Sequence, residues 1–338
     1  MDRAEIDRVF TPAAHAALES FPVDAPVDTG DLTLIAMTEN VTFKVTDRRR
    51  GGAYVLRLHR PGYHTLEELD SEHAWIRALD EAGVEVPKSI AARDGRNYVP
   101  VTIAATGERR FAGMARWTEG RLLSDVLAET GDQQTVEAYF AQLGALVAAM
   151  HNQASAWRPP PHFTRQHLDA DGLMGDAPHW GPFWEHHSLS AAERRLLLDT
   201  RARMHAWLAG LGKEASGYSL IHSDMHPGNI LAGGERLAVI DFDDASFGWH
   251  QYDIAVVLSY WQSKPNAVAI ERAFLDGYRT TRKLPDDAPT WLPMFQLIRG
   301  MAAIGWFHQR PELKPPAAFA ERRAWVLDQC AALQRRYR

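Results

Sequence analysis

The sequence predicts an α+β fold in two unequal parts, a small antiparallel β-sheet lobe with one main helix and a larger α-rich lobe. Three observations point there. Between Leu32 and about residue 115 the apolar residues fall in short strand-like runs interrupted by a single segment of helical period. From Val136 onward most long segments carry helical spacing instead. A chain of 338 residues, 46% hydrophobic and 24% charged, can also bury a sizeable core and favours two lobes over one.

The elements follow in order. Ile6, Val9, Phe10, Ala13, Ala17 and Leu18 recur at helical spacing, and Pro22 closes the segment. Strands are expected over Leu32–Met37, Val41–Thr46 and Ala53–Leu58, with Arg48–Gly52 as a polar turn, which makes a meander. The period changes over Thr65–Ala82, where Leu66, Leu69, His73, Ile76 and Leu79 share a face, so a helix is expected, ending at Gly83. Asp94 and Gly95 predict a hairpin turn between Ser89–Ala92 and Asn97–Ile103, and Gly107 precedes a further strand through Met114. Gly120 then breaks the chain.

Beyond it Leu122–Leu127 starts a short helix, and Val136–His151 a longer one with Tyr139, Phe140, Leu143, Leu146, Val147 and Met150 on its apolar side. His151 reads as a satisfied core histidine. Trp157–Pro182 is rich in proline, histidine and aromatics. Helical spacing returns over Ser190–Leu211, opened by the capping box of Ser190 and Glu193. Further helices are expected over Ile254–Tyr260, Val268–Tyr278, Trp291–Phe307 and Phe319–Tyr337.

Composition excludes several classes. A net charge of −6 without a dense basic stretch gives no electrostatic footprint for nucleic acid. The single cysteine, Cys330, rules out an intrachain disulfide and fits a reducing compartment. The first 21 residues mix charges with apolar residues, unlike a signal peptide, and no stretch approaches the length of a membrane span. The expectation is a cytoplasmic protein with no membrane partner.

The chemistry concentrates in Leu220–Asp253, LIHSDMHPGNILAGGERLAVIDFDDASFGWHQYD. Two apolar runs end there in polar residues, Tyr218–Ile221 in His222 and Leu237–Ile240 in Asp241, with Pro-Gly and Gly-Gly pairs between them. A loop followed by a short strand pair would bring Asp224, Asn229 and Asp241 together. Phosphoryl transfer from a nucleotide asks for such a trio: one carboxylate to receive or orient the proton of an attacking hydroxyl, and a carboxamide with a second carboxylate to hold Mg²⁺ against phosphates. His222, Asp224 and Asn229 stand at the spacing of a kinase catalytic loop, and Asp241, Phe242 and Asp243 occupy the place of the metal-binding triplet, with Asp243 where glycine would stand. His226 is open to two readings, loop-structuring residue or metal ligand. Asp243 and Asp244 likewise read as a second metal contact or a solvated pair.

HSDMHPGNIL followed by VIDFDD resembles the aminoglycoside phosphotransferase and choline kinase superfamily, near its homoserine kinase and stress-response kinase branches. The resemblance implies a two-lobed protein-kinase-like fold that moves the γ-phosphate of ATP to a hydroxyl, with ATP and Mg²⁺ as cofactors. Position by position it makes Asp224 the catalytic base, Asn229 and Asp241 the Mg²⁺ ligands, His222 a brace of the loop, and Asp253 the anchor of the loop backbone. It divides the chain into a nucleotide-binding lobe over 1–115, a hinge over 116–120, and a catalytic and acceptor-binding lobe over 121–338 with a lid-like insertion over 152–215.

The same resemblance places Arg57 of YVLRLHRP where the family usually has a lysine for the α and β phosphates, with Glu72 to hold it. Glu68 is a competing partner, and a plain surface ion pair the alternative. Before the third strand stands MTENV and no GxGxxG, so the Thr38–Asn40 backbone is expected to cover the phosphates, capped by Asn40. The adenine edge is expected on backbone groups between Arg116 and Thr118, with Trp117 stacked nearby or packed in the core. Trp180, Phe183, Trp184 and Glu185 read either as an acceptor wall or as lid packing, and His186 and His187 as solvated. Trp249, Tyr252, Trp261 and Trp306 read as an aromatic wall or as core.

After Asp241 only a short segment, with DDASFGWHQ at its centre, precedes Asp253, too little for a peptide platform. The expected function is therefore an ATP- and Mg-dependent phosphotransferase acting on a hydroxyl of a small molecule. The alternatives are a serine/threonine protein kinase of the stress-response type and a nucleotide-binding pseudokinase, for which Arg57 is the one sequence argument. Monomer and homodimer are equally compatible with the sequence, and the acceptor's identity is not written in these motifs.

Overall fold

The computed structural model describes residues 3–23, 31–37, 40–49, 51–234, 236–262, 264–284 and 287–336. It forms two compact units, one of Met1–Arg121, Arg158–Arg165 and Leu231–Ile240, the other of Leu122–Trp157, Gln166–Ile230 and Asp241–Arg338.

The first unit opens with helix α1 (Arg3–Leu18), followed by β1 (Leu32–Met37), β2 (Val41–Asp47), β3 (Gly52–Leu58), helix α2 (Leu66–Glu81), β4 (Ser89–Ile90), β5 (Tyr98–Thr102) and β6 (Arg109–Arg116). The sheet runs β1-β2-β3-β6, all antiparallel. Alternation along β2 sends Val41, Phe43 and Val45 inward, where they join Phe10, Ala13 and Ala14 of α1 in one core. Thr65 caps α2 through a capping box: its Oγ1 accepts from Glu68 N at 3.2 Å while Glu68 Oε2 accepts from Thr65 N at 2.9 Å. Gly83, at φ 84°, ends the helix in the left-handed conformation that glycine adopts without strain.

One local expectation fails. The turn at Asp94–Gly95 closes, with Ala92 N donating to Arg96 O at 2.8 Å, yet the flanking segments do not pair with each other. Both lie along one edge of β6, β5 against Arg109–Gly113 and β4 against Met114 and Ala115, because an eight-residue strand has room for the two end to end.

The second unit is α-rich. In chain order the elements after β6 are β7 (Arg121–Leu122), α3 (Leu123–Glu129), α4 (Gln133–Ala156), β8 (His167–Leu168), α5 (Ala170–Met174), α6 (Ala191–Ala209), β9 (Tyr218–Ile221), β10 (Ile230–Gly233) and β11 (Arg236–Val239), the last two of which fall within or largely within the first unit, then β12 (Ser246–Trp249), α7 (His250–Ser259), α8 (Ala267–Thr281), α9 (Ala288–His308) and α10 (Ala317–Arg336). Within the second unit β12 pairs antiparallel with β9 and parallel with β8. Every residue of α7 is buried. Helices α4 and α8 approach so closely that a Cβ on Gly144 would stand 2.0 Å from Phe274 O, and one on Gly277 would stand 1.9 Å from Ala141 O. No helix among the described residues is long and apolar enough to cross a membrane.

Candidate active site

The loop after β9 is held from behind by one carboxylate. Asp253, fully buried on α7, accepts from His222 N at 3.0 Å and from Ser223 N at 2.7 Å, so two backbone donors that leave the strand end meet a charged acceptor. His151 Nε2 lies 3.3 Å from the same Oδ2 and its Nδ1 2.9 Å from the Tyr278 hydroxyl. A carboxylate only accepts, so the ring carries its proton on Nε2 and takes the Tyr278 proton on Nδ1. Burial depresses the pKa of His151, with Asp253 working against it, and the ring stacks on His250 at 4.2 Å. His151 is thus a core histidine with both nitrogens satisfied.

Pinning the two amides forces Ser223 to φ 70°, an uncommon conformation for a residue with a side chain, and its Oγ meets Ser246 Oγ at 2.5 Å. The turn delivers Asp224 forward. There Asn229 Nδ2 donates to Asp224 O at 3.0 Å and to Asp224 Oδ2 at 3.3 Å, which orients the amide and leaves its oxygen as the group that can face a cation. His226 Nδ1 accepts from Gly228 N at 3.0 Å while Nε2 approaches Asp224 Oδ2 at 3.4 Å, so this residue both shapes the turn and touches the carboxylate. Asp241 also sits at positive φ, 65°, and the next ring, Phe242, lies 4.9 Å from that of His222, which sets the Asp241 segment against the loop.

No sequence motif marks Arg299 of α9, and the structure gives it a role. Its Nη2 donates to Asp224 Oδ1 at 2.6 Å, with the guanidinium 5.6 Å above the Trp180 ring. Burial would raise the Asp224 carboxyl, but Arg299, aided by His226 and His222, outweighs it and holds the group well below the usual carboxylate range. Asp224 is a carboxylate. One signal was present: Arg299 is the only Asp, Glu, Lys or Arg in the otherwise apolar helix 288–308.

The remaining expected residues divide. Trp180 is buried and stacked on Tyr252 at 5.8 Å, which brings both beside Arg299. Trp184 is buried against Phe183 and under the Arg201 guanidinium at 4.6 Å, whereas Glu185 is exposed. His186, expected in solvent, is 1% exposed; its Nδ1 accepts from Ser188 N at 3.2 Å, and it stacks on His187. Trp249 is core, donating through Nε1 to Gly212 O at 3.0 Å, and Trp261 meets Phe140 edge-on.

In the first unit Glu72 is buried with Arg165 Nη1 3.8 Å from its Oε2, an arginine that carried no expectation. Arg57 on β3 and Glu72 on α2 both act on Tyr98, whose hydroxyl is raised by burial first and then by Glu72, with Arg57 opposing. Glu68 is committed to the α2 cap. Asn40 Oδ1 accepts from Arg60 N at 2.9 Å, tying the start of β2 to the end of β3, while Thr38 and Glu39 lie outside the described residues. Arg116 N and Trp117 N donate to Lys88 O and Ala53 O at 2.8 and 2.9 Å, so the amide of Thr118 is the next along the segment, and Lys44 Nζ lies 4.0 Å over the Trp117 ring.

The oxygen donors suit a hard cation. Among the described residues no three His, Cys, Asp or Glu gather as a metal cage. A carboxamide and a carboxylate that leave the remaining coordination to phosphate and water are the set expected for Mg²⁺.

Comparison with known proteins identifies the family and the fold. The model of the phosphotransferase enzyme family, APH, matches residues 31–286. A homoserine kinase from Pseudomonas aeruginosa is 28% identical over 94% of this chain and 95% of its own length. A microcompartment-associated aminopropanol kinase superposes with a TM-score of 0.80 at 28% identity, covering 96% of this chain and 97% of that one. An amicoumacin kinase in complex with AMP-PNP, Ca²⁺ and Ami superposes with a TM-score of 0.77 at 20% identity over 97% and 96% of the two chains, a likeness of fold.

Proposed function

This chain belongs to the phosphotransferase enzyme family, and from that premise we propose that it transfers the γ-phosphate of ATP, with Mg²⁺, to a hydroxyl of a small molecule. The observation that carries the reading is the Asp224 carboxylate, oriented by Asn229 Nδ2 and Arg299 on a loop whose amides Asp253 fixes. Asp224 accepts a hydrogen bond from the acceptor hydroxyl and turns its oxygen toward phosphorus. The new O–P bond forms as the bond to the β,γ-bridging oxygen breaks, ADP leaves, and the hydroxyl proton passes toward Asp224. Asn229 and Asp241 would hold Mg²⁺, which neutralises phosphate charge when bound. Arg57 and Glu72 of the first unit serve the donor phosphates, and backbone groups near Thr118 the base.

Such a site works by positioning and charge compensation, so its parts are preorganised by buried partners. The homoserine and aminopropanol kinases among its relatives put small alcohols that also carry an amine within the expected range. The test is ADP release with Mg-ATP over aminoglycosides, choline, ethanolamine, homoserine, methylthioribose and a peptide, with Asp224→Asn as the blank. Turnover on a small alcohol, lost by about 10²–10⁴-fold in the variant, supports the reading. Turnover on the peptide alone would move it to the protein-kinase alternative.

A further inference from the structure

Arg299 of α9 bonds Asp224, and Arg322 of α10 stands over the Tyr260 ring, which meets His226 beside the same carboxylate. We propose that Arg299 and Arg322 form a carboxylate subsite beside Asp224, so that the acceptor is a small hydroxy acid. The inference rests on the reading of Asp224 as the residue that receives the acceptor hydroxyl.

Arg299 is 8% exposed and gives Nη2 to Asp224 Oδ1 at 2.6 Å, while its Nε is buried without a hydrogen-bond partner among the described residues. A guanidinium has five N–H donors in a rigid fork, and leaving one of them buried and unused is costly unless a ligand takes it up. Arg322, on α10, lies over the Tyr260 ring at 4.9 Å, and that ring in turn meets His226 at 5.1 Å. Arg322 is half-buried and close enough to feel both charges: burial lowers its pKa most, Arg299 lowers it further, and Tyr260 and Asp224 oppose.

Two like charges brought together at partial burial call for an anion. Asp224 compensates one of them, and Asp244 lies on the Tyr252 side. Tyr260 is 38% exposed, so its ring is open to a ligand. A carboxylate three carbons from the reacting hydroxyl, as in a 4-hydroxy acid, would complete the second arginine and meet the guanidinium fork. An amino alcohol without a carboxylate brings only a cation to the same place, where it is repelled.

Three probes of matched chain separate these cases: homoserine, 3-amino-1-propanol, which is homoserine without its carboxylate, and 4-hydroxybutyrate, which lacks only the amine. The expected result is kcat/KM for homoserine and 4-hydroxybutyrate about 10²-fold or more above that for 3-amino-1-propanol. Arg322→Met should collapse that ratio by roughly tenfold or more, chiefly through KM for the acids, and Arg322→Lys should restore part of it. Equal or better use of 3-amino-1-propanol, or a ratio indifferent to Arg322→Met, overturns the proposal while leaving phosphotransfer intact. Calorimetric binding of the same probes in the presence of nucleotide reads the subsite without turnover. Carboxylate-dependent binding that Arg322→Met abolishes, with no ADP released, would uphold the subsite and sink the phosphotransferase reading instead.

Discussion

Arg299 and Asp224, 75 positions apart, meet through a 2.6 Å hydrogen bond between charged groups, Arg299 nearly enclosed and the Asp224 side chain keeping 25% of its surface exposed. The pair does two things at once. It keeps Asp224 ionised, and it gives a buried guanidinium the counter-charge without which it could not stay buried.

Removing the arginine should therefore cost stability as well as activity. Breaking a fully buried pair by deleting one partner costs about 3–5 kcal/mol. Here the surviving Asp224 reaches solvent, so Arg299→Met is expected to lose a smaller amount, about 1–3 kcal/mol. Urea unfolding of the variant against the parent chain measures it. No loss of unfolding free energy would show that the ion pair is not formed in solution.

Asp253 makes a sharper case, because its role needs two oxygens. Asp253→Asn keeps shape and size but supplies one acceptor oxygen in place of two, and its amide would turn a donor either toward Ser223 N or toward His222 N and His151 Nε2, which share the other oxygen. At least one buried donor is left unmet. The expected cost is about 1–3 kcal/mol in denaturant unfolding, together with a fall in phosphotransfer rate from loosening of the Asp224 turn. A variant of unchanged stability and rate would remove Asp253 from the positioning of the loop.

How much of this could be read from sequence depends on the range over which each feature acts. The strands β1 to β3 and helix α2 were legible because alternation, helical period and the Thr65–Glu68 cap are local. The contact between Asp224 and Asn229 was legible because five positions on one loop separate them. Arg299 was not, since its partner arrives only through folding, and the charge count of α9 was the one trace it left. His186 was misread because the stretch around it has no period, so nothing distinguished a buried ring from a solvated one. Gly144 and Gly277 lay inside helices where glycine has no local reason to stand, and their purpose shows only when the facing helix is in place.

That facing helix gives a prediction about packing. At Gly144 and Gly277 an added methyl would sit at 2.0 Å and 1.9 Å from backbone oxygens of the opposite helix, which cannot turn aside as a side chain can. Helix propensity alone would make Gly→Ala stabilising by about 1 kcal/mol. Forced separation of α4 and α8 should win, and each variant is expected to be less stable by about 1–3 kcal/mol or more. Thermal unfolding of Gly144→Ala and Gly277→Ala decides the sign, and a gain in stability at either would mean the two helices are farther apart than the structure has them.

Stability should also fall in mild acid, and His186 should carry part of the loss. Its Nδ1 accepts from Ser188 N, so the folded ring is neutral with its proton on Nε2, an atom buried without a partner among the described residues. Burial first, then repulsion from His187, His308 and Arg323, pushes its pKa down to about 4. An unfolded histidine titrates near 6.5. Between the two values the unfolded chain holds a proton that the folded ring refuses, so stability is full above about pH 6.5 and declines as pH drops toward 4. His151 and His250 are shifted in the same direction and add to the effect. His186→Phe preserves the aromatic contact with Phe319, 5.2 Å away, and should reduce proton uptake on unfolding by about one. Comparing urea midpoints at pH 5 and pH 7 is the check: the gap between them should narrow in the variant, and an unchanged gap would return His186 to the ordinary, solvated histidines.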